Sequence, residues 1–294
     1  MLLLVCAVVE CATVWHAGRL SEQQAGFVES WLGEPTLVED FSWGLVDTVV
    51  LHLRTDAADV IVKAGGRGNH HIGREITAHE RFTAPLAELG AAARLIAASR
   101  EANLLATEYL EGQLVEGGPA EFELQVHEQA GRLLRVFHDL ASHADDTFER
   151  LATQKSLAWL DSDHRIAPEH ERAARAILTD YEPATVTVVP THGDWQPRNW
   201  LVHRDHVRVI DFGRFAFRPA ETDLCRLAAQ QWRDRPRLEA AFLQAYGLDP
   251  RSARLWPMVQ LREAIGTAAW AYQVGDERFE VQGHRMLAEA LGEF

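Results

Sequence analysis

The sequence predicts an α+β chain in two parts, the first built on an antiparallel sheet and the second, larger one mainly helical. Three observations carry this. Between Thr36 and Tyr109 apolar, β-branched residues alternate with polar ones in short runs, the period of half-buried strands. From Phe122 onward apolar positions recur three and four residues apart, the period of amphipathic helices. Between these stretches Gly112, Gly117, Gly118 and Pro119 punctuate the chain. The expected parts are an N-terminal extension and helix over 1–35, a sheet region over 36–112 and a helical region over 113–294.

The elements follow in order. Ser21 with Gln24 forms a capping-box pattern, and Phe27, Val28, Trp31 and Leu32 predict a short helix ending at Gly33. Strands are expected over Leu37–Phe41, Val46–Leu53, Val60–Val62, Arg94–Ala98 and Leu104–Tyr109, with one helix over Ile72–Leu89 between the third and fourth. Gly65–His71 reads as a flexible turn. In the second part Phe122, Val126, Ala130, Leu133, Leu134, Phe137 and Leu140 mark a core helix, with His138 packed in it. Further helices are expected over Asp145–Leu160, Pro168–Tyr181, Asp223–Trp232, Pro236–Tyr246, Ser252–Val274 and Asp276–Leu291. Thr222 or Asp223 is placed to cap the first helix after residue 220.

A chain of 294 residues that is 47% hydrophobic and 24% charged can bury a sizeable core. Its 29 Lys and Arg against 43 Asp and Glu give a net charge of −14, which argues against a nucleic-acid or anionic-membrane partner and is compatible with a cationic substrate. Three cysteines, Cys6, Cys11 and Cys225, have no metal-site spacing and fit a reduced, cytoplasmic setting. The apolar run at the start lacks a preceding Lys or Arg, and Glu10 interrupts it well short of the ~20 residues of a membrane span. It is expected to be a buried strand or an extension rather than a signal.

The chemistry concentrates in Thr191–Gly213, which reads T-H-G-D-W-Q-P-R-N-W-L-V-H-R-D-H-V-R-V-I-D-F-G. Asp194, Asn199 and Asp211 are the residue types that phosphoryl transfer from a nucleotide uses: a carboxylate beside the attacking hydroxyl, with an amide oxygen and a second carboxylate for Mg²⁺ on the phosphates. Asp194 and Asn199 stand five residues apart across a loop containing Pro197. Trp200–His203 and Val207–Ile210 read as a hairpin that returns Asp211 to the same place.

His192-Gly193-Asp194 with Asn199, followed by Ile210-Asp211-Phe212-Gly213, resembles the aminoglycoside phosphotransferase-like family of small-molecule kinases, which shares the bilobal protein-kinase fold. The resemblance implies a small N-lobe sheet, a larger helical C-lobe, ATP (GTP as the alternative) and Mg²⁺ as cofactors. It implies Asp194 as the catalytic residue and Asn199 and Asp211 as metal ligands. Lys63, after Val60-Ile61-Val62, becomes the nucleotide-phosphate lysine, with Glu75 its partner and Glu80 the rival. Ser42-Trp43-Gly44 falls where kinases carry a glycine-rich phosphate loop, although one glycine alone is weak. Glu108 and Tyr109 fall at the hinge that receives adenine, and Asp223 becomes an acid supporting the catalytic loop.

The implied acceptor is a hydroxyl of a small molecule, an aminoglycoside, amino alcohol or similar compound. The last helices hold Trp232, Trp256, Trp270, Tyr272, Glu263, Asp276 and Glu277, which could meet a cation, although packing explains such residues as well. Gln196 stands where protein kinases commonly have a lysine, and Arg198 is the substitute or a solvent-facing residue. The alternative function is a non-catalytic, kinase-like nucleotide-binding protein. A hydrolytic metal site from His192, Asp194, His203 and His206 matches no zinc signature.

Overall fold

The computed structural model describes residues 15–44 and 47–294, so the apolar run at the start lies outside the described residues. The chain divides into two compact units, one of Met1–Ile76 with Leu95–Tyr109 and one of Thr77–Arg94 with Leu110–Phe294.

The first unit opens with α1 (Glu22–Leu32), whose capping box forms as the sequence predicts: the Ser21 side chain accepts from Gln24 N, and the Gln24 side chain accepts from the Ser21 backbone. Then come β1 (Thr36–Asp40), β2 (Thr48–Arg54), β3 (Asp59–Gly65) and α2 (His70–Arg81). The end of α2 and the short α3 (Ala84–Glu88) belong to the second unit, and β4 (Leu95–Ser99) and β5 (Leu104–Glu108) complete the first. The five strands pair antiparallel in the order β1-β2-β3-β5-β4. Alternation sorts the side chains onto two faces. Leu51, Leu53, Val60, Val62, Leu104 and Ala106 pack with Val28 of α1. Lys63, opposite Val50 and Leu105, faces the other way, where Ile72 and Ile76 of α2 cover Leu105.

Two expectations in this region need correction. The helix expected over Ile72–Leu89 ends at Arg81, and a separate turn of helix starts at Ala84. Pro85, in the first turn of α3, is tolerated there but would break a continuing helix by removing a donor and crowding the preceding turn. The Gly65–His71 stretch is tied down. Gly66 N donates to Asp47 Oδ2 at 3.0 Å, and Asn103 Nδ2 donates to the Gly66 and Asn69 carbonyls at 2.8 and 2.9 Å.

Besides α3 and the end of α2, the second unit comprises β6 (Gln113–Leu114), α4 (Leu124–His138), β7 (His143–Asp145), α5 (Phe148–Leu160), α6 (Pro168–Asp180), β8 (Val186–Thr191), β9 (Trp200–His203), β10 (His206–Val209), β11 (Ala216–Arg218), α7 (Cys225–Ala229), α8 (Pro236–Tyr246), α9 (Trp256–Val274) and α10 (Glu277–Leu291). Two small sheets, β10-β9-β6 and β11-β8-β7, carry the motif-bearing loops. The expected hairpin forms with His203 opposite His206. Arg204 and Asp205 both have positive φ, 49° and 64°, the turn geometry that matches strand twist. Gln129 of α4 braces this turn, donating to Asp205 O and accepting from Val207 N.

One core cluster joins α4 and α8 to the hairpin through Leu134, Phe137, Trp195, Trp200, Phe212 and Phe242, and another joins α9, α10 and α6. Helices α9 and α10 approach so closely that a Cβ on Gly283 would sit 2.5 Å from Ala268 N. Buried Glu149 on α5 accepts from Tyr181 Oη, from Ala184 N at 2.6 Å and from Arg254 Nη2 at 2.9 Å, which fixes the segment leading into β8.

Candidate active site

The loop after β8 is shaped by its backbone before its side chains act. Gly193 has φ +79°, and a Cβ there would lie 2.5 Å from Arg218 Nη1 and 2.6 Å from Arg214 O, so only glycine fits. The His192 and Gly193 N–H groups both donate to the Asp223 carboxylate, at 2.8 and 2.6 Å. Asp223 also bonds His138 Nε2 at 3.1 Å, and His138 Nδ1 bonds Tyr246 Oη at 2.9 Å. Burial raises the Asp223 pKa, but the His138 contact and the two N–H groups outweigh it and hold the carboxyl below its usual range. Asp223 therefore holds the loop and does not cap a helix. It lies within the 3₁₀ turn Ala220–Leu224, and α7 begins at Cys225 with no side-chain cap, a shorter helix than the 3.6 period suggested.

His192 fixes the next link. Its Nε2 donates to Ile210 O at 3.0 Å, and its Nδ1 accepts from Asp194 N at 3.3 Å, so one tautomer satisfies both contacts. Burial pushes this imidazole's pKa down, which keeps it neutral. Ile210 N in turn donates to Asn199 O at 3.0 Å. These two bonds place Asp211 beside the Asp194–Asn199 loop. Asp211 is exposed with φ 65°, a left-handed conformation that aspartate tolerates better than most residues.

Asp194 is buried and fully engaged. Its Oδ1 accepts from Arg226 Nη1 at 2.6 Å and Gln196 Nε2 at 2.5 Å. Its Oδ2 accepts from Arg198 Nη2 at 2.5 Å and Nε at 3.1 Å. Burial alone would raise its pKa, but Arg226, Arg198 and Arg214 reverse this and hold the carboxyl far below the usual range. Arg226 is clamped from its other side by Glu263 at 2.8 Å. Arg214 is crowded by the Arg226 charge and by burial, which push its pKa down to about 10. Asn199 Nδ2 donates to Asp194 O at 2.8 Å, which ties the amide to the loop through its nitrogen. Gln196 is joined to Gln230 at 3.0 Å, and Gln230 lines a pocket of about 300 Å³.

In the first unit Lys63 Nζ lies 2.7 Å from Glu75 Oε1, and both are buried or nearly so. The rival Glu80 is exposed. Ser42 closes its turn, donating N–H to Asp40 Oδ1 and accepting Val50 N at its hydroxyl, while a Cβ on Gly44 would meet open space. Glu108 ends β5 opposite Val60. The Tyr109 ring stacks on His52 with centroids 4.1 Å apart.

Of the residues considered for an acceptor site, Trp232 is core: it is buried, and its Nε1 donates to His127 Nδ1. Trp270 packs edge-on against Phe279, and Tyr272 lies under Arg165. Arg226 and Arg214 were not anticipated. Nothing local marks them, since Arg226 stands 32 residues from the carboxylate it grips.

Asn199 and Asp211 offer two oxygen ligands, a donor set suited to Mg²⁺, which keeps waters and substrate phosphates for its remaining positions. Among the described residues no group of three or more His, Cys, Asp or Glu side chains could hold a metal, and His192 is spent on the backbone, so the hydrolytic metal site has no counterpart. No helix among them is long and apolar enough to cross a membrane.

The fold has well-matched counterparts. A choline kinase, LicA from Streptococcus pneumoniae, aligns over 92% of this chain and 97% of its own with a TM-score of 0.65 at 16% identity. Aminoglycoside phosphotransferase APH(4)-Ia, a thermostable mutant in complex with ADP and hygromycin B, aligns over 93% and 99% with a TM-score of 0.62 at 11% identity. A macrolide 2'-phosphotransferase from Brachybacterium faecium covers 91% and 98% with a TM-score of 0.57 at 17% identity. At these identities the likeness shows the kinase-like fold. No curated protein sequence matches. The phosphotransferase enzyme family model matches residues 39–256, a span that contains Lys63, Glu75, the catalytic-type loop and Asp223. The chain belongs to the phosphotransferase enzyme family.

Proposed function

We propose that the chain is a magnesium-dependent small-molecule kinase that moves the γ-phosphoryl group of ATP to an alcohol. The observation that carries this is Asp194: an ionised carboxylate on a rigid loop, with Asn199 and Asp211 tied to that loop through hydrogen bonds at His192 and Ile210. In the reaction the bond from the γ-phosphorus to the bridging oxygen breaks. A new bond forms from that phosphorus to the acceptor oxygen, ADP leaves, and the hydroxyl proton passes to Asp194 and then to solvent.

Asp194 is a weak base, because its arginine partners hold its pKa so low. Its role is to align the hydroxyl and to take the proton late, when the acceptor oxygen is already bonded to phosphorus. Asn199 and Asp211 would hold Mg²⁺, which when bound neutralises charge on the phosphate oxygens. Lys63, fixed by Glu75, would neutralise the α- and β-phosphates. Ser42, Gly44, Glu108 and Tyr109 would contact the nucleotide through their backbones. The complexes of related folds with ADP or AMP support a nucleotide substrate.

The test is ADP formation by the purified chain with Mg²⁺ and ATP across a panel of alcohols, with Asp194→Asn and Asp211→Asn in parallel. Asp194→Asn should abolish acceptor-dependent ADP formation while keeping nucleotide affinity by calorimetry. Asp211→Asn should weaken Mg²⁺-ATP binding. Near-normal turnover in Asp194→Asn would refute the assignment.

A further inference from the structure

The hydrogen-bond capacity of Asp194 is used up. A carboxylate offers about four acceptor positions, and the four bonds from Arg226, Gln196 and Arg198 occupy them. An alcohol that donates its proton toward Asp194 must displace one of these donors. Arg226 is buried and clamped by Glu263, and Gln196 is buried and joined to Gln230. Arg198 is the displaceable donor. Its side chain is 33% exposed, and all its hydrogen bonds among the described residues go to Asp194.

Displacing Arg198 frees a guanidinium that loses the carboxylate it was paired with. Arg198, Arg214 and Arg226 stand with Asp194 and Glu263, and Asp211, beside the same loop, is the acid assigned to the metal in the proposed reaction. Arg214 makes no hydrogen bond or ion pair from its guanidinium among the described residues, and it follows the proposed metal ligand Asp211 by three residues. It is the guanidinium available to the phosphoryl group, which leaves Arg198 for the acceptor. Of the fixed acids, Glu263 is engaged by Arg226. Glu116 faces Arg198 but is exposed, where a pair with Arg198 would be screened by water and weak.

We infer that the acceptor is an anionic alcohol, a hydroxyl compound whose own carboxylate or phosphate pairs with Arg198 as its hydroxyl takes that arginine's place on Asp194. This rests on the phosphotransferase reading above, and it departs from the cationic acceptor with which the net charge of −14 is compatible. Whole-chain charge sets the field far away; the groups within hydrogen-bond reach decide what binds.

The experiment uses the full chain with four matched alcohols: glycerol, glycerate, glycerol 3-phosphate and 3-amino-1,2-propanediol. ADP formation with Mg²⁺-ATP and direct calorimetric binding are measured for each. The expected result is at least about a tenfold preference in kcat/KM and in affinity for an anionic member over the ammonium member, since one charge-assisted contact supplies about that factor. The carboxylate and phosphate arms identify which anion fits. Arg198→Glu should reverse the preference, and Arg198→Gln should erase it if the charge reversal does not fold.

Equal or better use of the ammonium compound would overturn the inference, as would no anionic compound being bound or turned over. An equal loss on all four arms in Arg198→Gln would also overturn it, because Arg198 would then serve the phosphoryl group. Selective binding of an anionic alcohol with no ADP formed on any arm would keep the site and refute the kinase reading instead.

Discussion

Replacing Asp223 by alanine removes an acceptor that serves three buried donors at once: His192 N, Gly193 N and His138 Nε2. Each orphaned donor costs about 1–3 kcal/mol. The burial penalty of the carboxylate, several kcal/mol, disappears with it. The net loss should fall near 3–5 kcal/mol, the range seen when one partner of a buried charged contact is removed. At roughly 2 °C per kcal/mol for a chain of this size, Tm should drop by about 6–10 °C.

The loop would also lose the anchor that holds Gly193 at φ +79°, and Asp194 is the next residue. A displacement of about 1 Å at a positioning group can cost on the order of 100-fold in rate. Turnover should therefore fall far more than nucleotide affinity does. Thermal unfolding and ADP formation measured on the same preparation check both parts. Asp223→Asn, which keeps one acceptor oxygen, should lose about half as much stability, on the order of 2 kcal/mol. If Asp223→Ala melts within 1–2 °C of the parent and turns over within about twofold of it, smaller than either expected effect, the loop is held by something else.

Glu75→Gln removes the carboxylate 2.7 Å from Lys63 Nζ, and KM for ATP should rise about tenfold, roughly 1.4 kcal/mol, with little change in kcat once ATP saturates; steady-state kinetics over a range of ATP concentrations checks it, and an unchanged KM would release Lys63 from its nucleotide role. The pH dependence of stability has a definite sign. Asp194 and Asp223 ionise below their unfolded values, so the unfolded chain takes up protons first as pH falls. Their contribution is complete above about pH 5 and is lost as pH drops below the unfolded carboxylate value of about 3.9. Tm followed from pH 7 to pH 3 should be flat and then fall, less steeply in Asp223→Asn, and a Tm that climbs steadily between pH 5 and 7 would contradict this.

What could be read from the sequence was what is local along the chain. The capping box at Ser21 and Gln24 and the β9–β10 hairpin depend on residues a few positions apart, and both formed as expected. Asp194, Asn199 and Asp211 meet because one hairpin returns the chain to its start, a geometry that alternation encodes. The break at Pro85 was encoded too, but the apolar period runs through it and hid it. The apolar run after Asp223 made it a possible helix cap, and only the family resemblance marked it as an acid supporting the catalytic loop; the backbone of His192 and Gly193, thirty or so residues earlier, takes its oxygens. Arg226, Arg214 and the His138–Tyr246 contact leave no periodic or spacing signal, since each depends on where separate helices pack.

Those long-range contacts change the chemistry more than the motif does. A His-Gly-Asp loop alone leaves the strength of its carboxylate as a base undetermined. Arg226, anchored by Glu263, and the Arg198 of the loop itself settle that: they stabilise the ionised form so strongly that Asp194 gains little from accepting a proton. The carboxylate can then contribute through where it stands, and its position is set by Asp223 beneath the loop and by His192 across to Ile210. Helix α7 begins at Cys225 with Leu224 at its cap position, so the acid one residue earlier, Asp223, is left to the loop. In the phosphoryl transfer we propose, rate enhancement depends on alignment, so the residues whose loss should matter most after Asp194 itself are buried ones that never reach the substrate.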